Sequence, residues 1–132
     1  MSARGVTMRG RRAAERLMVD RCRVSRPGSG TPVTDPETGE VTVPRGTVYT
    51  GRCRVQTRRP YPSNPEAGEH AWTTVVLEIH LPVSATGIRV DDTVTVTDSF
   101  DPGNVGRTFR VRSDDRKTYQ TSLRLLVEEV TG

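Results

Sequence analysis

One stretch constrains this chain more than any other: Trp72 to Thr97, WTTVVLEIHLPVSATGIRVDDTVTVT, where buried-type and exposed-type residues alternate over the longest span in the sequence. Leu77, Ile79, Leu81 and Val83 fall on one face of an extended chain and Glu78 and His80 on the other, the pattern of a half-buried strand. After a break at Ser84 to Gly87 the alternation resumes through Ile88 and Val90. Val94 and Val96 then stand between threonines, whose branched Cβ suits a pleated surface. The spacing predicts a second strand that returns beside the first. The residues before this pair supply a helix, two strands and long loops, and those after it supply two more strands able to close a sheet.

Such a sheet must find its core in 132 residues of which 33% are hydrophobic and 5% aromatic, with 12 Gly and 9 Pro. These figures predict a single domain, residues 1–132, with a modest core, much turn, and support from a partner subunit. No apolar run approaches the length of a membrane span and no signal-peptide core follows the basic N-terminal residues, so a cytosolic chain with no membrane segment is expected. In that compartment Cys22 and Cys53 are expected to be reduced and buried. They occupy near-identical settings, RCRV at 21–24 and again at 52–55, each alternating as a strand would.

Residues 1–26 hold eight arginines against Glu15 and Asp20, so the basicity behind the net charge of +4 is an N-terminal property. The first six residues lack a pattern. From Thr7, a fair N-cap, to Val19 the spacing is helical, with Val6, Gly10, Ala13, Ala14 and Leu17 in one narrow stripe. Residues 1–19 thus read as an N-terminal arm and helix. Arg9, Arg12 and Arg16 stack beside the stripe, where like charges repel unless something acidic faces them. They form either a solvated face or, with Leu17, a docking helix that meets an acidic subunit or nucleic acid.

Beyond the helix, Asp20 to Arg26 reads as a strand with Cys22 and Val24 inward, ended by Pro27-Gly28. Residues 32–44 read as a small exposed hairpin around Asp35-Pro36-Glu37-Thr38-Gly39. Thr47 to Gln56 reads as a core strand with Tyr49, Cys53 and Val55 on one side and Arg52, Arg54 and Gln56 on the other. Residues 57–71, TRRPYPSNPEAGEHA, have three prolines and no periodicity, and a long loop of this kind is expected to be functional. Asp98, Asp101 and Asn104 resemble cation ligands superficially but lack the spacing of a calcium loop, so a tight polar turn is expected there. Arg107 to Ser113, with Phe109 and Val111 inward, and Tyr119 to Val130, through Leu123, Leu125 and Val127, complete about six strands. The predicted class is mainly β: a small antiparallel barrel or sandwich, the barrel being SH3- or OB-like, with one N-terminal helix, residues 20–132 as the β part, and long loops.

No set of residues amounts to an active site, so no enzyme, cofactor or metal is expected. His70 and His80 lie far apart without ligand-spaced carboxylates or cysteines, Ser84 has no nucleophile-elbow glycines, and the acidic pairs Asp91-Asp92, Asp114-Asp115 and Glu128-Glu129 border strands as solvated charges.

The order of ERLMVDRCRVSR, VTDPETGEVT, VYTGRCRVQ, LPVSATGIRVDDTVTVT, GRTFRVR and LRLLVEEV resembles a family of head-to-tail connector proteins of tailed phages and prophages of actinobacteria, over nearly the whole chain. The resemblance implies a head-completion or stopper subunit: a small β-barrel in a homo-oligomeric ring, sixfold or alternatively twelvefold. That ring lies between the portal adaptor protein and the tail terminator or tail tube, and touches duplex DNA transiently. It also implies a virion location at the head–tail interface, reached from the host cytoplasm. Where a Gly-Asp turn is expected before the TVTV strand this chain has Asp91-Asp92, and Asp can hold a left-handed position at some cost. Under this reading the 57–71 loop is the channel gate: Arg58 and Arg59 hold phosphates, Tyr61 is its lone aromatic, and Glu66 and Glu69 weaken the contact. The competing gate is the acidic hairpin 32–44, better suited to meet the basic helix of a neighbour. A tail-terminator ring should carry more helix. A free-standing nucleic-acid-binding barrel is the alternative from another class, for which Arg52, Arg54, Arg110 and Arg112 are available but aromatic platforms are not.

Overall fold

A computed structural model describes residues 2–58 and 76–130. The chain opens with a helix, α1 (Ala3–Arg16), capped by Ser2, whose Oγ accepts the Gly5 amide at 3.1 Å. The helix thus starts four residues before the expected Thr7. Thr7 lies within it and turns its hydroxyl back onto the Ala3 carbonyl at 2.8 Å. Among the described residues eight strands come after it: β1 (Asp20–Arg26), β2 (Val33–Thr34), β3 (Val41–Thr42), β4 (Gly46–Arg58), β5 (Val76–Leu81), β6 (Thr93–Asp98), β7 (Thr108–Asp115) and β8 (Leu123–Glu129).

Six of them close into an antiparallel barrel in the order β1, β4, β5, β8, β7, β6 and back to β1, as the alternation requires once every strand has one apolar face. Cys22, Val24, Cys53, Ile79, Leu81, Val94, Val96, Phe109, Val111, Leu123 and Leu125 fill the interior. β4 serves two neighbours: Gly46 to Cys53 pair with β1, and Arg54 to Arg58 pair with β5. At its middle stands Gly51, where a Cβ would fall 2.6 Å from the Tyr49 hydroxyl; the missing side chain lets the Tyr49 ring lie along its own strand and donate to the Arg52 carbonyl at 2.9 Å. Burial holds the Tyr49 phenol up at about 12.

The central pair departs from expectation. β6 does not return beside β5, because β5 lies between β4 and β8 while β6 lies between β7 and β1, on the opposite side of the ring. Residues 82–92 are too many for a hairpin turn and carry the chain across one end of the barrel, burying Ala85 and Ile88 in the common core while Val90 stays exposed. The crossing is pinned at its far end. Asp92, 1% exposed, receives Arg26 Nε at 2.8 Å on Oδ1, Arg26 Nη2 at 2.9 Å on Oδ2 and the Arg89 amide at 2.8 Å on Oδ2. Arg26 Nη2 also donates to the Gly87 carbonyl at 2.7 Å. Asp91 occupies the left-handed region, φ 74°, as the turn there demands. Asp92 is therefore a structural ion-pair partner and not a solvated charge.

Other boundaries shift by smaller amounts. β4 runs on through Thr57 and Arg58, so the first two residues of the expected loop 57–71 belong to a strand, and residues 59–71 lie outside the described residues. β8 begins at Leu123, not Tyr119, because Tyr119 sits at φ 61° in the turn before it. The outer face of β5 is closed: Glu78 is 5% exposed, and its Oε2 lies 3.0 Å from His80 Nε2. The Asp98 to Gly106 segment is the turn its residues predict, with Asp101 Oδ1 capping the 3₁₀ turn Pro102–Asn104 through the Gly103 amide at 3.0 Å.

Candidate functional site

The two RCRV segments meet. β1 and β4 pair so that Arg21 stands opposite Arg52, Arg23 opposite Thr50, and Cys22 opposite Gly51. With the cysteines inward, Arg21, Arg23, Arg52 and Arg54 stand on the outer surface of two adjacent strands, while Thr95 of β6 lies across from Arg23. Like charges directly opposite one another oppose the pairing of their strands, so the arrangement does not serve the stability of the sheet. Among the described residues, none of these four arginines forms an ion pair, whereas Arg26, Arg107, Arg110, Arg112 and Lys117 all do. Guanidinium groups in this state suit phosphate or carboxylate oxygens. The pairing partners beside them are threonines, His80 and, opposite Arg21, Asp98 rather than aromatic platforms, so the face offers charge without base stacking.

The cysteines behind this face are free and fully buried. A hydrogen bond between the two thiols, together with burial, raises the Cys22 pKa far above the ordinary thiol range, so the thiol stays protonated and unreactive.

Two arms leave the barrel from opposite ends of β1. At its start is α1, which lies against the barrel through half-buried Thr7, Gly10, Arg11 and Ala14. Arg11 Nε donates to the Gln120 carbonyl at 3.0 Å, and a Cβ at Gly10 would come within 2.7 Å of Thr121 Cγ2. The seated side is thus rotated from the expected stripe, because Val6, Ala13 and Leu17 are exposed. The predicted docking residues Arg9, Arg12, Arg16 and Leu17 are exposed as well. At the other end of β1 is the β2–β3 hairpin, whose residues 31–45 are all exposed. Its turn is held by Asp35: Oδ1 accepts the Glu37 amide at 2.8 Å, and the main chain exchanges bonds with Gly39 and Glu40, each 2.8 Å. The Glu37 amide and the Thr38 hydroxyl hold the Asp35 carboxyl below its ordinary value.

Of the predicted gate residues, Arg58 ends β4 while its side chain, with Arg59, Tyr61, Glu66 and Glu69, lies outside the described residues. Sequence reasoning placed Arg52 and Arg54 outward but missed that Arg21 and Arg23 join them. The repeated RCRV was the signal: two copies of one alternating pattern, each with cysteine inward, make one face when the strands pair. Arg110 and Arg112 do not join this face; both reach Glu128, at 3.7 and 3.6 Å.

The architecture defines the class: a closed six-stranded antiparallel β-barrel with an N-terminal helix and a free hairpin. Residues 10–128 match the model of a family of unknown function, DUF6093, and the chain belongs to that family. No curated protein and no solved structure matches it. Among the described residues no helix is long and apolar enough to cross a membrane.

Proposed function

We propose that this protein is a structural subunit of a phage or prophage head-to-tail connector, a stopper that assembles as a ring between the portal adaptor and the tail and closes the DNA channel. One observation carries the reading: a hairpin in which every residue from 31 to 45 is exposed, rooted on the barrel by Arg45, whose Nε donates to Ser25 Oγ at 3.2 Å. A two-stranded ribbon of this length gains little stability alone, and a chain with a modest core retains one where a neighbour covers it. The order of motifs along the chain and the long excursions between strands suit the same role. Particles made without this protein should contain packaged heads that lose DNA and fail to join tails, and antibody against it should mark the head–tail joint in electron micrographs. Tailed, DNA-filled virions assembled in its absence overturn the proposal.

The arginine face favours a second reading, a free-standing nucleic-acid-binding barrel. Under that reading the purified protein binds short single strands saturably, and its affinity falls with rising salt, more steeply the more phosphates the arginines neutralise. Replacing Arg21 and Arg52 by serine would then flatten the salt dependence. Under the connector reading no saturable single-strand binding is expected.

A further inference from the structure

The two arms carry opposite charge and matching apolar exposure. α1 holds five arginines against the single Glu15. Its outer edge exposes Val6 and Leu17 at 52% and 55%. Val19 is exposed as well, and so is Phe100, 87% exposed, whose amide is fixed beside the strand start by Asp20 Oδ1 at 3.0 Å. The hairpin, residues 32–44, holds Asp35, Glu37 and Glu40 and no basic residue. It exposes Val33, Val41 and Val43. Val41 stands opposite Thr34 in the ladder, which puts it on the same ribbon face as Val43 and leaves Val33 and Glu40 on the other. The hairpin does not cover its own helix: residues 31–45 are all exposed, and so are Arg12, Arg16 and Leu17.

We infer that the hairpin of one copy docks on the α1 edge of a second copy, its acidic turn against Arg12 and Arg16 and its Val41 and Val43 against Leu17, Val19 and Phe100. The partner is a second copy because the chain carries both halves of the complementary pair and leaves both exposed within one subunit. Such a contact is heterologous: each subunit gives a hairpin at one side and receives one at the other, and repetition closes into a ring. This rests on the ring-forming connector reading and names the surface that builds the ring. Charge opposition supplies register and orientation, and the desolvated valines supply most of the affinity.

Charge reversal tests it in the full-length protein. Glu37→Arg with Glu40→Arg makes one variant; Arg12→Glu with Arg16→Glu makes the other; Asp35 is kept because its carboxylate holds the turn. Each variant, shown folded by circular dichroism, should need a concentration about tenfold or more above wild type to assemble, measured by sedimentation velocity and native mass spectrometry. The chain carrying all four reversals should assemble near the wild-type concentration, and the two single-arm variants mixed should recover assembly with the two alternating, because the hairpin of each complements the helix of the other. Assembly unaffected by either reversal, no recovery in the fourfold variant, or a wild type that stays monomeric at millimolar concentration each overturns the inference. A ring formed with reversed arms sinks the arm pairing and leaves the connector function standing. A protein absent from the head–tail joint whose arms nonetheless rescue one another sinks the function and leaves the pairing.

Discussion

Asp91 and Arg26 act on the same crossing segment with opposite consequences. Asp91 sits at φ 74° and its side chain forms no hydrogen bond among the described residues, so its backbone conformation is strained with nothing recovered. Asp91→Gly should stabilise the protein by about 1 kcal/mol and raise Tm by about 3 °C in a thermal melt. Arg26 is the opposite case. Its guanidinium neutralises Asp92, a carboxylate with 1% exposure, and Arg26→Met leaves that charge buried with only the Arg89 amide. The expected loss is about 3 kcal/mol in urea unfolding. Adding Asp92→Asn to that variant should restore most of it, because an amide oxygen still accepts from Arg89 and no charge remains to be solvated. A double variant as unstable as Arg26→Met alone would mean that Arg26 acts through the Gly87 carbonyl instead.

At the scale of elements, the seating of α1 turns on one missing methyl. By helix propensity alone Gly10→Ala gains about 1 kcal/mol. In the folded chain the added Cβ falls 2.7 Å from Thr121 Cγ2, a short branched side chain with little room to yield, so the variant should be less stable than wild type. Thr121→Ser removes the obstructing methyl, and in that background Gly10→Ala should become stabilising. The change of sign between backgrounds, read by denaturant titration, is the check. Sequence periodicity could not have supplied it. The helical spacing was legible, but which edge faces the barrel depends on Gln120 and Thr121, more than a hundred residues away in sequence. The strand pattern shows the same division: β5 and β6 were both legible as strands, while their separation around the ring comes from Ala85 and Ile88 finding the core.

For the molecule as a whole, stability should fall away at both extremes of pH. Arg107 donates from Nε and Nη2 to the two Glu129 oxygens, each at 2.9 Å, and holds the Glu129 carboxyl below its ordinary value of 4.5. Asp35 is held below its ordinary 3.8. A depressed folded pKa contributes stability that is fully present above the ordinary value and lost as pH falls through the folded one. Both groups are solvent-exposed and screened, so the acid loss is shallow and weakens further in salt. Cys22 and Tyr49 act on the alkaline side: the Cys22 thiol is held far above its ordinary 9.0 and the Tyr49 phenol is raised to about 12, so the unfolded chain ionises first and stability declines as pH rises above about 9. Chemical denaturation from pH 3 to 11.5 should show both shoulders. Tyr49→Phe should reduce the alkaline one, leaving the part due to Cys22, and Glu129→Gln should reduce the acid one.

Alternation by itself determined which residues lie inside: Cys22, Val24, Cys53, Ile79, Leu81, Val94, Val96, Phe109, Val111, Leu123 and Leu125 are all core, because a strand with one apolar face has one way to bury it. Turn chemistry determined the hairpin at Asp35 to Gly39, and the left-handed requirement before β6 was readable at Asp91. Only the tertiary structure decided strand order, the burial of Asp92, the seating of α1 and the assembly of Arg21, Arg23, Arg52 and Arg54 into one face. Each of these depends on which strand lies beside which. Local periodicity carries no information about pairing, which is settled when closing the ring satisfies every strand edge at once.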